Sequence, residues 1–408
     1  MNCNHQISLC RLLGANISYK PLSAVFNILL LSVGAAVILT ILHLNSLIDS
    51  RFSRDLQGID LVVSGKGSPL QMILANVFHL DSPTGNIPIS EARELEKNPL
   101  IKLSIPLAYG DNYNGHRIVG TTPDYITHYK GKIFQGRIFS SPMEVVIGGD
   151  VAQKFHLKIG EEIVGAHGLV NSDDRHTDQP YIVVGIIESN GSVLDRLVLT
   201  PVESVWHVHE HPDEDDSEET AYKQTHPEEE LTALLISYKS PLAAAQLPRL
   251  VNNSGSMQAA SPAFEVARLT KLMGTGQDIL SAFGYLLLAF SGLSLFIALY
   301  NAVQDREYDI ALMRVMGLSK SKIFGLILSE TLFLGVVGAV IGVFLSQLFI
   351  RLTAGWIYVE KGLVLSAPLP GILEIYVVSA ILLISLVAGL IPALMARQTD
   401  IVKTLARM

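Results

Sequence analysis

Cysteine is almost missing. The chain of 408 residues carries two, Cys3 and Cys10, both ahead of the first long apolar run. No disulfide framework can therefore staple the middle of the chain. If that part faces an oxidising compartment it must stand on its own core, and residues 48–277 are enough to build one. Charge is scarce too. Asp, Glu, Lys and Arg make up 17% of residues, against roughly 25% in soluble domains. With 49% hydrophobic residues and a mean hydropathy of +0.37, the composition fits a membrane protein with a sizeable water-exposed part. The net charge of −8 gives no reason to expect nucleic acid. Catalytic signatures are absent as well. There is no G-x-x-x-x-G-K-[ST]; Gly65-Lys66-Gly67-Ser68 lacks the first glycine at the right distance and the Ser/Thr after lysine, so it reads as a turn. No G-x-S-x-G, H-E-x-x-H or C-x-x-C occurs. No enzymatic activity, nucleotide hydrolysis or bound cofactor is expected of the chain itself.

What is present is four long apolar runs, at 22–47, 278–301, 324–350 and 372–395. About 20 apolar residues cross a bilayer, so each reads as a span. The first has no Asp, Glu, Lys or Arg and is too long for a cleaved signal core. Residues 1–21 ahead of it mix His5, Arg11 and Lys20 with spaced apolar residues, a pattern for an amphipathic helix on the membrane surface. In the third span Gly338-x-x-x-Gly342 permits close helix contact. Glu330, near its inner end, is costly there and should find a base in the 302–323 loop or the tail. Gly389 and Pro392 mark the end of the fourth span as a further packing point. His43 and Glu374, near span ends, read as interfacial.

Residues 48–277 carry short β-type runs at Leu61–Val63, Ile101–Ile105, Arg117–Val119, Glu144–Ile147, Ile182–Ile187, Leu197–Leu199 and Leu234–Tyr238, split by Gly, Asn, Asp and Pro turns. Helical stretches read at Glu91–Lys97, with Ser90 as its cap, and at Val151–Phe155, Pro241–Val251 and Ala263–Met273. The whole is an α+β membrane protein: four transmembrane helices, with a large α+β extracytoplasmic domain inserted between the first and second. Within that domain Glu203–Glu230 holds eleven acids, one base (Lys223) and His207, His209, His211 and His226. Such a run cannot bury a core and reads as an exposed loop. It is either a solvated acidic insertion or a shallow divalent-metal site. If extended, His207, His209 and His211 would share one side, and imidazoles with carboxylates suit zinc. The spacing matches no closed structural zinc motif. His167, Asp173, Asp174 and His176 form a second polar loop that could join it.

The most informative stretch lies between the second and third spans, at 302–323. It runs Asp305-Arg306-Glu307-Tyr308-Asp309-Ile310-Ala311-Leu312-Met313-Arg314-Val315-Met316-Gly317-Leu318-Ser319-Lys320-Ser321-Lys322-Ile323. It opens on charges of both signs, continues in helix formers and stops at Gly317; Ser319 or Ser321 can cap a new helix starting near Lys322. The reading is a short helix on the membrane surface, with Ile310, Met313 and Met316 on one stripe and Arg306, Glu307, Asp309 and Arg314 around the rest. This surface could fit a groove on a soluble partner, or the stretch could be a plain linker.

Arg-Glu-x-Asp-Ile-Ala-Leu-Met-Arg-x-Met-Gly-x-Ser-Lys-x-Lys-Ile, with Glu330 downstream, resembles the cytoplasmic coupling loop of the FtsX-like permeases, the four-span membrane subunits of MacB-type ABC transporters. Val145-Val146-Ile147-Gly148-Gly149-Asp150-Val151-Ala152, followed by Leu157-Lys158-Ile159-Gly160-Glu161, resembles a passage of their extracytoplasmic domain. Arg397 and Asp400-Ile401-Val402-Lys403-Thr404-Leu405 resemble their C-terminal signature. The resemblance implies a cytoplasmic ABC ATPase that uses ATP, contacted through Arg306, Glu307, Asp309, Ile310, Met313, Arg314, Met316 and Gly317. It also implies a second permease copy, identical or paralogous, and a periplasmic substrate-binding or lipoprotein partner. Lys and Arg cluster in the 302–323 loop and the 396–408 tail, while the 351–371 loop has Arg351 and Lys361 alone. The positive-inside rule then puts both termini in the cytoplasm of a bacterial inner membrane. The work could be export or lipoprotein trafficking, or divalent-metal handling with zinc at the His-rich loop. A regulatory scaffold that activates a periplasmic partner without transport is the other reading.

Overall fold

The computed structural model describes residues 21–166, 179–209, 229–253, 255–361 and 371–398. The N-terminal segment with both cysteines, the His167–His176 loop, His211 and His226, and the tail from Thr399 lie outside the described residues. In chain order the elements begin α1 (Pro21–Asp55), β1 (Leu61–Gly65), α2 (Pro69–Asn76), β2 (Ile87–Pro88), α3 (Ile89–Glu96), β3 (Ile101–Tyr113) and β4 (His116–Thr121). Next come α4 (Pro123–His128), β5 (Ile133–Gly136), β6 (Glu144–Ile147), α5 (Gly149–Phe155), β7 (Glu162–Ile163), β8 (Tyr181–Ile187), β9 (Val198–Pro201) and α6 (Val202–His209). The chain then forms β10 (Glu230–Leu231), β11 (Ala233–Tyr238), α7 (Pro241–Asn252), β12 (Met257–Ala260), α8 (Pro262–Asp305), α9 (Glu307–Val315), α10 (Lys320–Lys361) and α11 (Ile372–Gln398).

Two compact units result. One gathers the chain up to Leu47, Gly274–Trp356 and α11; the other gathers Ile48–Met273 and the end of α10 from Ile357. In the first, α1, α8, α10 and α11 are long and apolar enough to cross a bilayer. They outrun the apolar runs that the sequence marks. The α8 helix has 44 residues, roughly 66 Å at the α-helical rise, and joins the expected helix Ala263–Met273 to the second span. Nothing between them breaks a helix except Gly274 and Gly276, which cost about 1 kcal/mol each in a helix interior. Likewise α10 continues to Lys361, so the first half of the expected 351–371 loop is helical.

Close approach in this bundle is set by small residues. A Cβ on Gly342 would stand 2.5 Å from the Ala35 Cβ, and one on Gly338 2.8 Å from the Leu31 Cβ. The expected Gly338–Gly342 face is therefore where α10 meets α1. Gly389 does the same for α11 on α10, where its Cβ would meet the Thr331 hydroxyl, and Pro392 lies buried one turn on.

The second unit is built on a sheet in the order β12-β1-β11-β3-β4-β9-β6-β8-β5, with β7 also on β8. Pairing is parallel for β4 with β9 and β6 with β8, and antiparallel elsewhere. Strand β3 joins the two halves: its first part pairs with β11 and its last part with β4. On β1, Val62 faces a core with Met72, Ile105 and Tyr125, while Leu61 and Val63 face another with Leu95, Leu234 and Leu247. A strand buried on both faces reads as an unbroken apolar run, which is how Leu61–Val63 reads. Two sequence expectations fail here. Ser90 does not cap α3, because the helix starts at Ile89 with Pro88 in the cap position. The acidic segment is not a loop throughout. Its start is α6, with Val205 and Val208 buried and the Trp206 indole donating to the Glu230 carbonyl at 2.8 Å.

Candidate functional site

The α9 helix is cut off from α8 at Arg306, whose φ of −104° and ψ of 15° leave the helical region. Glu307 and Asp309 occupy its first turn and Arg314 its last, the arrangement that the helix dipole favours. Its end is a complete Schellman motif. Gly317 has φ 98°; the Gly317 N–H donates to Arg314 O at 3.1 Å and the Leu318 N–H to Met313 O at 3.0 Å. Met313 and Leu318 meet in one apolar cluster, the contact that usually accompanies this cap. Ser319 then caps α10: the Lys322 N–H reaches its carbonyl at 3.0 Å and its hydroxyl at 3.4 Å.

Two apolar faces compete on this helix. Ala311 is buried, and Ile310, buried, and Met313, half-buried, pack with Val303, Ile323, Ile327, Ala393 and Ala396 of the bundle. The stripe expected to meet a partner is thus split: Ile310 and Met313 hold α9 onto the bundle, while Met316 is 69% exposed. The outward apolar face is Tyr308, Leu312, Val315 and Met316, spaced one turn apart along the helix. Glu307 and Asp309 are exposed beside it, and Arg306 and Arg314 are half-buried. Sequence reasoning missed Tyr308, Leu312 and Val315, although they share the same period. The buried face is Ile310 and Ala311, with Met313 beside it. Glu330 and Arg306 line one pocket with Ser23, Asn27 and Leu334, so the expected base for this acid is brought to the same place.

A second polar cluster lies in the sheet-containing unit. His79, buried and at φ 52°, stands between two tyrosines. The Tyr109 hydroxyl donates to Ala75 O at 2.7 Å, so it accepts from His79 Nδ1 at 2.9 Å. The Tyr125 hydroxyl then donates to Nε2 at 2.8 Å. Arg117 lies over the Tyr109 ring, 4.4 Å from its centre. Burial, helped by Arg117 and Arg196, holds the His79 pKa well below its ordinary value. Burial likewise pushes the Tyr125 hydroxyl well up. The His79 ring is thus hydrogen-bonded at both nitrogens, between two tyrosine hydroxyls.

Among the described residues, no group of three or more His, Cys, Asp or Glu is placed to hold a metal. His207 is exposed on α6 and His209 closes that helix. The extended backbone that would align the histidines is absent up to His209.

Residues 24–252 match the MacB-like periplasmic core domain, and residues 281–401 the FtsX-like permease C-terminal domain. The chain belongs to the MacB/FtsX-type permease family. Such permeases are membrane components that work with cytoplasmic ABC ATPases and are typically not catalytic themselves. The four apolar helices and the family make this a membrane protein. Similar solved structures include the periplasmic region of MacB from Actinobacillus actinomycetemcomitans, at 13% identity and TM-score 0.36, covering 52% of this chain and 95% of that one. The extracellular domain of the ABC-type transporter YknZ from Gram-positive bacteria is another, at 14% identity and TM-score 0.30, covering 50% and 99%. No curated protein matches the chain.

Proposed function

We propose that this chain is the mechanotransmission subunit of a MacB-type ABC complex in a bacterial inner membrane, with both termini cytoplasmic. A separate ATPase docks on α9, and its closure moves the bundle and, through α1 and α8, the sheet-containing domain. One observation carries the reading. A nine-residue helix is pinned at both ends and on one face, yet leaves Tyr308, Leu312, Val315 and Met316 outward. A rigid, apolar, charge-flanked ridge is what helix-in-groove docking uses.

The test is a pull-down of the ATPase with the full-length chain carrying Leu312→Glu or Met316→Glu. Both positions are exposed, so the variants should reach the membrane. A buried glutamate in the docking groove should weaken association at least about tenfold, since interface anchors are worth ~2 kcal/mol or more. Undiminished association with both variants would sink the docking face. Arg306→Glu is a poorer probe, because Arg306 also lines the Glu330 pocket.

The complex would pair this chain with a second permease copy and handle a lipoprotein or other hydrophobic cargo with a periplasmic partner. Zinc handling rests on His207, His209, His211 and His226, and the alternative is a scaffold that activates a periplasmic partner without transport. Uptake into vesicles against capture of an external partner separates transport from scaffolding.

A further inference from the structure

At the end of the bundle opposite α9, a buried histidine and a buried glutamate meet. His43 of α1 and Glu374 of α11 have side chains 4% and 8% exposed, and Nε2 lies 3.0 Å from Oε1. Both lie near the span ends where the sequence puts them, and both are buried within the bundle. On the other side of the imidazole, Nδ1 lies 2.8 Å from the carbonyl oxygen of Leu39. A carbonyl can only accept, so Nδ1 carries a hydrogen. The Nε2 lone pair cannot face a carboxylate oxygen at that distance without a proton between them. The two side chains therefore share one proton beyond what a neutral imidazole beside a carboxylate would hold.

The surroundings say where it resides. Glu374 Oε2 accepts from the Gly371 N–H at 2.6 Å, and Oε1 also takes a hydrogen from the Gln347 amide of α10 at 3.3 Å. Three donors converge on one carboxyl group, which suits a carboxylate beside an imidazolium. One turn inward, the Thr40 and Ser346 hydroxyls meet at 3.2 Å and tie α1 to α10 again. The charged groups next along the packed helices, Arg351 of α10 and Asp278 of α8, are exposed. Ionisable side chains inside a bundle are costly and mark sites by default.

We propose that His43 and Glu374 form a proton-binding site, filled from water by protonation of Nε2 and emptied by the reverse step. The proton is the ligand, and α1, α10 and α11 all converge on it. Drawing α1 away from α11 would leave two buried charges unpaired, which is strongly unfavourable. Parting the helices at this end is therefore linked to giving up the proton. The inference stands whether or not α9 is the ATPase dock.

The test is nitrogen NMR of histidine-labelled full-length chain in lipid nanodiscs near neutral pH, for wild type, H43Q and E374Q. Subtracting H43Q from wild type isolates the two His43 nitrogens. Both should carry or share a proton in wild type, and Nε2 should become a bare ring nitrogen in E374Q. A bare Nε2 already present in wild type overturns the proposal. Should H43Q fail to fold, comparing wild type with E374Q shows which histidine signal moves, and no moving signal overturns it equally. In thermal unfolding, H43Q/E374Q should lose no more than the worse single variant; fully additive losses would mean that the two groups do not act as one site.

Discussion

Gly317 holds α9 to its length. At φ 98° an L side chain is strained, yet nothing lies within 4 Å of where its Cβ would stand. The cost of a substitution is then conformational alone, about 1–2 kcal/mol. Gly317→Val should leave the chain in the membrane, fray the end of α9 and raise protease cleavage near Leu318; an unchanged cleavage pattern would count against the cap. His79 makes a different prediction. The folded chain keeps it neutral, and burial lowers His116 and His128 in the same direction. Below about pH 6.5 the unfolded chain takes up these protons while the folded one does not. Stability is full above that pH and falls as the pH drops through it toward the folded pKa values. Trp356→Phe leaves Trp206, in the sheet-containing unit, as the single tryptophan of the chain, so its emission can follow unfolding of that unit. The midpoint should drop on acidification, and His79→Gln should flatten part of the slope.

At the scale of elements, period and length were legible and partners were not. The spacing of Ile310, Met313 and Met316 showed which residues share a face of α9, but a period cannot say which face the bundle claims. Strand runs such as Glu144–Ile147 stand where the sequence puts them, because a doubly buried strand advertises itself in β-branched residues. Short helices hid in turn-like sequence: α2 and α4 both begin at a proline that read as punctuation. The acidic composition of Glu203–Glu230 masked α6, whose Val205 and Val208 belong to the core. This changes how zinc binding must be tested. Deleting 203–230 would remove core residues, so replacing His207, His209, His211 and His226 with Asn is the cleaner variant. Calorimetry of the full chain should show zinc heat that this variant lacks, and equal heats would remove the metal reading. Helix contacts give a sharper comparison. Gly342→Ala must push α10 off Ala35 and the Ser32 carbonyl, a strain of about 1–3 kcal/mol. Gly325→Ala on the same helix meets nothing within 4 Å and should be neutral or gain up to ~1 kcal/mol. Thermal unfolding in detergent that ranks the two alike would refute the α1–α10 contact.

For the whole molecule, the layout came through because a bilayer constrains sequence more tightly than any core does. An unsatisfied backbone group in hydrocarbon costs several kcal/mol, so crossings must be long apolar helices, and these are readable from composition alone. What composition could not show is that the crossings are continuous with the helices beyond them. The sequence starts the second span near 278, yet α8 runs unbroken from Pro262 to Asp305. What the helix count fixes is a parity. Between Asn253, just before β12, and Met316, at the end of α9, the chain holds one helix fit to cross a bilayer. A single crossing puts the two residues on opposite sides of the membrane. On the orientation proposed above from the excess of Lys and Arg near Met316, that residue is expected in the cytoplasm. With Cys3 and Cys10 replaced by Ser, Asn253→Cys should react with a membrane-impermeant maleimide added outside, and Met316→Cys only after the membrane is opened. Labelling of both from the same side would mean that α8 does not cross, and a helix that does not cross could not carry force from α9 to the domain beyond the bilayer.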